Sequence, residues 1–89
     1  MWDWDEAKRQ TNRDKHGIDF AALAQFDWTT AQIEPDNRRD YGEDRFIAVG
    51  YIKDRLHKLI FTKRNGRVRV ISFRKANRRE QRKWASRNI

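Results

Sequence analysis

The sequence predicts a small α+β domain in which one twisted antiparallel sheet carries two N-terminal helices and one C-terminal helix. Helix signals dominate residues 5–26, strand-like runs with short connections occupy residues 29–74, and a capped helical run follows. The length of 89 residues suits a single domain over residues 1–89. Hydrophobic content is only 37%, but four Trp, five Phe and two Tyr argue for a folded domain with a thin core.

The first elements have clear ends in the sequence. Met1–Trp4 is short and aromatic, as in an edge strand, and a helix is predicted over Asp5–His16. Asp5 is a good N-cap residue, and Gly17 suits the left-handed turn that closes a helix. A second helix is predicted over Phe20–Phe26. Its apolar side would consist of Phe20, Leu23, Ala24 and Phe26.

The helix over residues 5–16 has no apolar stripe. At 100° per residue, Lys8, Asn12 and Lys15 lie on one face, and almost nothing apolar lies beside them. Cations near the end of a helix interact favourably with its dipole, which gives Lys15 and His16 a purely structural explanation. A helix this polar is also suited to presenting its polar groups to a partner.

Strand signals follow at Thr29–Glu34, Arg45–Ile52, Leu56–Arg64 and Arg67–Arg74. Asn65-Gly66 is the strongest hairpin signal, because both residues tolerate the positive φ angles of a type I′ turn. Strict alternation along the last strand would put Val68, Val70, Ser72 and Arg74 on one face, and Arg67, Arg69, Ile71 and Phe73 on the other.

The last helix is predicted from Asn77 onward. Asn77 as N-cap and Glu80 three residues later form a near capping box, so Glu80 is interpreted as a cap partner rather than a base. Trp84 is the clearest apolar anchor of this helix, and its other positions are mostly Arg and Lys.

Charge is distributed unevenly along the chain. Residues 1–44 hold eleven acidic and six basic side chains, whereas residues 45–89 hold two acidic and fifteen basic ones, for a net charge of +8. Arg presents a planar fork of donors that fits phosphate at two points. The basic half therefore indicates a polyanionic partner, most simply a nucleic acid.

Several classes of protein are disfavoured by the composition. With no Cys the chain forms neither disulfides nor thiolate metal sites, and its two His are far apart in sequence. No apolar run is long enough for a transmembrane span or a signal-peptide core. We expect a cytoplasmic protein with no cofactor, no metal and no membrane partner.

The combined motifs resemble the BrnT toxins. The first is Trp4-Asp5-x-x-Lys8-x-x-x-Asn12-x-x-Lys15-His16-Gly17-Ile18-x-Phe20, and Glu43-Asp44-Arg45, Gly50 and Phe61-Thr62-x-Arg64 follow. The last is Arg69-Val70-Ile71-Ser72-x-Arg74-x-Ala76-Asn77-x-x-Glu80. Two residues depart from the family pattern: Phe73 stands where Ala is usual, and Trp84 where Tyr is common. The resemblance implies a RelE-like ribonuclease toxin of a type II toxin–antitoxin pair.

The implied activity is RNA cleavage without a metal, which inhibits translation and growth. Attack of the 2′-OH on the adjacent phosphate needs a base, an acid and positive charge around the phosphate oxygens. We expect Arg74 and Arg64, at strand ends, and Lys15 and His16, at a helix end, to be the catalytic candidates. His16 is the natural proton carrier, because its ordinary pKa lies near ~6.5. The acidic partners of these Arg residues look scarce in sequence, which favours phosphate contact over surface ion pairs.

The remaining basic candidates are expected to bind RNA rather than to react with it. They are Arg69, Lys8, Arg78, Arg79, Arg82 and Lys83. The resemblance also implies a BrnA-like antitoxin as partner, which would cover the Arg64 and Arg74 region and would reach operator DNA itself. Two alternatives remain open at this point: a non-enzymatic nucleic-acid-binding or DNA-binding regulatory module, and an inactive toxin relative that only binds partners.

Overall fold

The computed structural model describes residues 2–87, so Met1 and the last two residues of the chain lie outside it. The α+β class is confirmed. The strands are β1 (Trp2–Trp4), β2 (Asp27–Pro35), β3 (Arg45–Ile52), β4 (Arg55–Arg64) and β5 (Arg67–Lys75). The helices are α1 (Glu6–His16), a 3-10 helix (Phe20–Gln25) and α2 (Arg78–Arg87). No helix within residues 2–87 is long and apolar enough to cross a membrane.

The five strands form one mixed sheet in the order β1-β5-β4-β3-β2. Strands β2 to β5 are antiparallel neighbours, as predicted, but β1 pairs with β5 in parallel. Trp2 lies opposite Val68 and Trp4 opposite Val70. The expectation of a purely antiparallel sheet was therefore wrong. The helical segments between β1 and β2 carry the chain from one edge of the sheet to the other. β2 therefore lies at the opposite edge from β1, and β1 pairs with β5 in parallel.

The second predicted N-terminal helix is a 3-10 helix rather than an α-helix. Phe20 and Leu23 are fully buried and Phe26 is 5% exposed, whereas Ala24 is exposed. The spacing of three matches the three residues per turn of a 3-10 helix, in which positions i and i+3 lie on the same side. Only one N-terminal α-helix, α1, is present in the described residues.

A bulge in β5 changes which side chains share a face. Phe61 of β4 lies opposite Val70, but the preceding residue of β4, Ile60, lies opposite Ser72, so Ile71 is the extra residue. Phe73 thereby joins Val70 on the buried side, at 0% and 1% exposure. The strict alternation predicted for β5 was wrong beyond Val70, because a single inserted residue reverses all later positions.

The sheet has two covered faces. The core face packs against the 3-10 helix, and its buried cluster comprises Phe20, Leu23, Phe26, Ala48, Leu59, Phe61, Val70 and Phe73. The opposite face, called here the α2 face, carries the C-terminal helix. The Trp84 ring of α2 meets Tyr51 edge-on at 5.2 Å and donates its N–H to the Thr30 carbonyl at 3.1 Å. These contacts confirm Trp84 as the anchor of α2.

The predicted turns and caps are present. The Asp5 carboxylate accepts hydrogen bonds from two backbone N–H groups of α1, and Gly17 ends that helix at φ 71°. Asn65 and Gly66 have φ angles of 51° and 75°, as a type I′ turn requires. Asn77 and Glu80 exchange side-chain-to-backbone hydrogen bonds of 2.9 Å each, which completes a capping box at the start of α2.

Candidate active site

A groove of about 330 Å³ lies between α1 and the bulged part of β5. We call it the α1 groove. Three of the predicted site residues, Lys8, Lys15 and His16, line it together. Asn12 lines it as well, so the predicted shared face of Lys8, Asn12 and Lys15 is confirmed. The full lining is Ala7, Lys8, Thr11, Asn12, Lys15, His16, Ile71 and Ser72.

Asn12 explains why a polar helix packs here. It is 6% exposed and lies against β5 beyond the point where β1 ends. Its amide N–H donates to the Phe73 carbonyl at 2.7 Å and to the Ile18 carbonyl at 3.1 Å, and its amide oxygen accepts from the Phe73 N–H at 3.1 Å. One side chain thus replaces the missing neighbouring strand for Phe73. Because the Asn12 amide hydrogen-bonds the Phe73 N–H and C=O at this edge, α1 packs against β5 without an apolar stripe.

The surroundings of His16 favour its neutral form. It is half-buried at the end of α1. Burial lowers the pKa of the His16 imidazole below its ordinary value of 6.5, and the positive charges of Lys15 and Arg74 lower it further. A neutral imidazole is able to accept a proton near pH 7, which is the property that a general base needs.

Arg74 is ion-paired rather than free. Its guanidinium makes a two-point contact with the Glu80 carboxylate at 2.8 and 2.9 Å and also donates to the Lys75 carbonyl at 3.0 Å. Lys58 contacts the same carboxylate at 3.0 Å. Burial alone would raise the pKa of Glu80, but the hydrogen bonds from Arg74, the Asn77 backbone and Lys58 outweigh it and lower the pKa to about 2.

Arg64 lies far from Arg74. It pairs in register with Arg67 at the hairpin, whereas Arg74 lies seven residues further along β5, roughly 20 Å away at the spacing of a strand. Arg64 donates to Glu43 at 2.8 Å and remains 58% exposed. The structure therefore does not bring these two candidates together, and only Arg74 lies near the α1 groove.

Arg69 also has an acidic partner, because its guanidinium contacts the Asp3 carboxylate at 2.8 Å. All three Arg candidates on the sheet are thus paired with carboxylates. The expectation that such partners are scarce was wrong, since Asp3 and Glu43 come from the acidic first half of the chain. Glu43 also contacts Arg45 at 3.5 Å, so the acidic half neutralises part of the basic half.

The basic residues of α2 divide into two groups. Arg79 and Lys83 line a larger groove of about 560 Å³ between α2 and the sheet, with Lys58 and Trp84 beside them. We call it the α2 groove. Lys83 is held by Glu34 at 3.1 Å. Arg78 and Arg82, the other two RNA-binding candidates, are exposed and do not line it.

Six of the ten candidate residues have no side-chain hydrogen bond or ion pair within residues 2–87. They are the cations Lys8, Lys15, Arg78, Arg79 and Arg82, together with His16. Unpaired cations leave positive charge available to a partner, whereas paired ones have already satisfied their donors. Among the candidate residues, the available charge is therefore on α1 and α2.

Sequence reasoning did not single out Ser72, Ile71 or Lys58. Ser72 and Ile71 face the α1 groove because of the bulge, which no local pattern indicates. Lys58 lies in the middle of a strand, and its contact with Glu80 depends on α2 packing across the sheet. No group of three or more His, Asp or Glu side chains within the described residues is arranged to hold a metal ion.

Comparison with known proteins identifies the family of this chain. The comparison with curated proteins yields no match. A family model described as the ribonuclease toxin, BrnT, of type II toxin–antitoxin systems matches residues 4–80, which contain the α1 groove, strands β2 to β5 and the start of α2. The match covers most of the 89 residues and confirms the resemblance carried by the sequence motifs. The chain therefore belongs to the BrnT family of ribonuclease toxins.

Proposed function

We propose that this protein is the toxin of a type II toxin–antitoxin pair and cleaves RNA in the α1 groove without a metal. Acting in the cytoplasm, it would inhibit translation and growth in the manner of the RelE-like toxins. The observation that supports the proposal is the meeting of His16, Lys15 and Lys8 on one groove, with Arg74 close enough to act on the His16 charge.

In the proposed reaction, neutral His16 accepts the proton of a ribose 2′-OH. The 2′-oxygen attacks the adjacent phosphorus, and the bond from phosphorus to the 5′-oxygen breaks. The leaving 5′-oxygen takes a proton from the Lys15 ammonium or from water. The products are a 2′,3′-cyclic phosphate and a 5′-hydroxyl, so protons and electrons balance without any oxidant, reductant or metal.

Positive charge stabilises the phosphate during this attack. Lys8 and Lys15 are exposed on the groove and have no carboxylate partner in the described part of the chain, so their ammonium groups are available to phosphate oxygens. Arg74 does not line the groove; its charge acts through space at His16, while Glu80 fixes the direction of its guanidinium. In this proposal the Arg74 side chain is held in place by Glu80 and does not have to move during the reaction.

The exposed cations of α2 supply grip on the RNA backbone. Arg78, Arg79 and Arg82 have no partner within residues 2–87, and Lys83 is more than half exposed despite its contact with Glu34. Phosphate contacts of this kind bind without reading sequence and weaken with salt. Arg69, tied to Asp3, would contribute less. Arg64 is left to its ion pair with Glu43 and takes no part in the chemistry.

The proposed partner in the cell is a BrnA-like antitoxin, which would reach operator DNA on behalf of the complex. Growth offers a first test of the enzyme. Expression of the wild-type chain should arrest growth with loss of cellular RNA, and Arg74→Ala at equal expression should relieve both effects. Arrest with intact RNA would contradict the proposal.

Cleavage of a defined oligoribonucleotide by purified protein tests the chemistry directly. We expect a 2′,3′-cyclic phosphate product, cleavage that persists in EDTA, and complete protection by a 2′-deoxy group at the cleaved position. His16→Ala and Lys15→Ala should each reduce the rate by about 100-fold or more, within the range attributed to positioned acid–base groups. Lys53→Ala, which removes an exposed cation at the β3–β4 turn, is the matched control and should cleave like wild type. A 5′-phosphate product, or cleavage of the 2′-deoxy substrate, would refute the mechanism.

A further inference from the structure

A second groove, on the core face, is apolar rather than cationic. We call it the aromatic groove; it has a volume of about 320 Å³ and is lined by Trp2, Trp28, Ile33, Phe46, Phe61, Lys63 and Val68. Trp2 stacks on Trp28 with ring centroids 6.0 Å apart, and Phe46 stacks on Phe61 at 5.5 Å. The walls are therefore ordered aromatic pairs. The aromatic groove and the α1 groove share no lining residue.

The aromatic groove exists because the 3-10 helix covers only part of the core face. The 3-10 helix contributes Phe20 and Leu23 to the buried cluster, whereas Trp2, Trp28, Phe46 and Val68 around it remain only partly buried. Ile33 stands at the rim on β2, an edge strand of the sheet, and is 53% exposed. It is the one large hydrophobic side chain so exposed among residues 2–87. Exposed apolar surface with ordered aromatic walls is typical of a protein-binding site.

Positive charge borders this groove at the β4–β5 hairpin. The Lys63 ammonium lies 5.8 Å from the centre of the Phe46 ring and has no carboxylate partner in the described chain. Arg67, at the start of β5, is exposed and likewise unpaired there. An occupant that complements this surface is apolar along its length and carries a carboxylate toward the hairpin.

We infer that the aromatic groove is the docking site for an apolar, acidic segment of the antitoxin; the inference rests on the proposed function, since it names the partner of that toxin. The groove is lined by one cation, Lys63, and by apolar side chains, and it exposes an isoleucine at its rim. Apolar walls of this kind favour a protein segment over a nucleic acid. The unpaired charges of Lys63 and Arg67 at the hairpin then favour a segment that is acidic.

Because the two grooves are separate, antitoxin affinity and RNA cleavage respond to different substitutions. Ile33→Asp places a carboxylate on the apolar rim and should weaken antitoxin binding by at least about 30-fold, because the complex would cover an unpaired charge with apolar surface. Lys63→Glu reverses the charge at the hairpin and should weaken binding further, most strongly at low salt. Neither substitution should change RNA affinity or cleavage.

The probe is the purified antitoxin co-encoded with this chain, chosen by that gene arrangement and not by any effect on growth. Calorimetric titration of that protein into wild type, Ile33→Asp and Lys63→Glu measures affinity without relying on RNA cleavage. Lys15→Ala is the matched control and should bind the antitoxin like wild type while losing cleavage. Unchanged melting temperatures of the variants establish that each is folded.

Wild-type antitoxin affinity of both groove variants would overturn the inference. Loss of RNA affinity in Ile33→Asp would also overturn it, because the groove would then be an RNA surface. Failure of the proposed function would give a different result. The wild-type chain would cleave no RNA, but Ile33→Asp would still weaken antitoxin binding. That result would contradict the proposed function and support the docking site.

Discussion

Asn12→Ala tests whether one buried amide holds α1 against the sheet. The substitution leaves the Phe73 N–H and C=O, both in a buried environment, without the partners that lie 3.1 and 2.7 Å away in the wild type. An unsatisfied buried backbone group costs about 1–3 kcal/mol, so two of them should cost roughly 3 kcal/mol once some water enters the vacated space. A domain of this size is stable by only about 5–15 kcal/mol, so the loss is large.

Urea unfolding followed by the fluorescence of the four Trp measures this difference directly. Thr11→Ala is the matched control, because Thr11 is the neighbouring residue of the same helix, is exposed and makes no side-chain hydrogen bond. We expect the control to change the free energy of unfolding by less than about 0.5 kcal/mol. If Asn12→Ala were as stable as Thr11→Ala, the Asn12 amide would not hold α1 against β5, and the reasoning would be refuted.

Asn12→Asp separates the two halves of the amide. The carboxylate still accepts from the Phe73 N–H but faces the carbonyl oxygens of Phe73 and Ile18, to which only a protonated acid donates. Burial beside two carbonyls should raise the pKa of the new carboxyl in the folded state. A raised folded pKa gives stability that is lost as pH rises, so the deficit of Asn12→Asp should shrink from pH 7 toward pH 4. A deficit independent of pH would refute this reasoning.

Three further predictions concern the pH dependence and packing of the same domain. Glu80→Gln should lower the free energy of unfolding at pH 7, measured in urea melts, by up to about 3 kcal/mol, because the Glu80 pKa falls from 4.5 to about 2 on folding. Protonation of Glu80 removes this contribution, so the difference from wild type should vanish as pH drops from 4.5 to 2. RNA cleavage should rise with pH to a plateau with a midpoint below 6.5, since the neutral His16 is the base, and His16→Ala should lack that rise. Gly50→Ala should cost about 1–3 kcal/mol in the same melts, because its Cβ would lie 2.9 Å from the Phe26 ring and 3.1 Å from the Ala31 Cα.

Local signals in the sequence were sufficient for most of the fold. The Asn65-Gly66 turn, the Asp5 cap and the Asn77–Glu80 capping box each depend on residues within four positions of one another, and all three are present. Most strand bounds follow from the same local patterns.

Features that depend on residues distant in sequence were not predictable in the same way. The parallel pairing of β1 with β5 joins residues 66 positions apart, and the Ile71 bulge shows no local mark. The ion pairs of Arg69 with Asp3 and of Arg64 with Glu43 likewise form only after the sheet has assembled. The candidate site was therefore predictable on α1, where helical periodicity groups Lys8 and Lys15, and less so on the sheet.

The parallel pairing of β1 with β5 also sets the order in which the domain assembles. Strands β3, β4 and β5 are joined by tight turns and close small loops, so they are able to pair quickly, whereas β1 must close a loop across most of the chain. The anchor of α1, Asn12, likewise has no backbone to bind until Phe73 is in place. During synthesis the α1 groove therefore stays unformed until residues 67–75 have left the ribosome, and the proposed toxic activity appears only after that point.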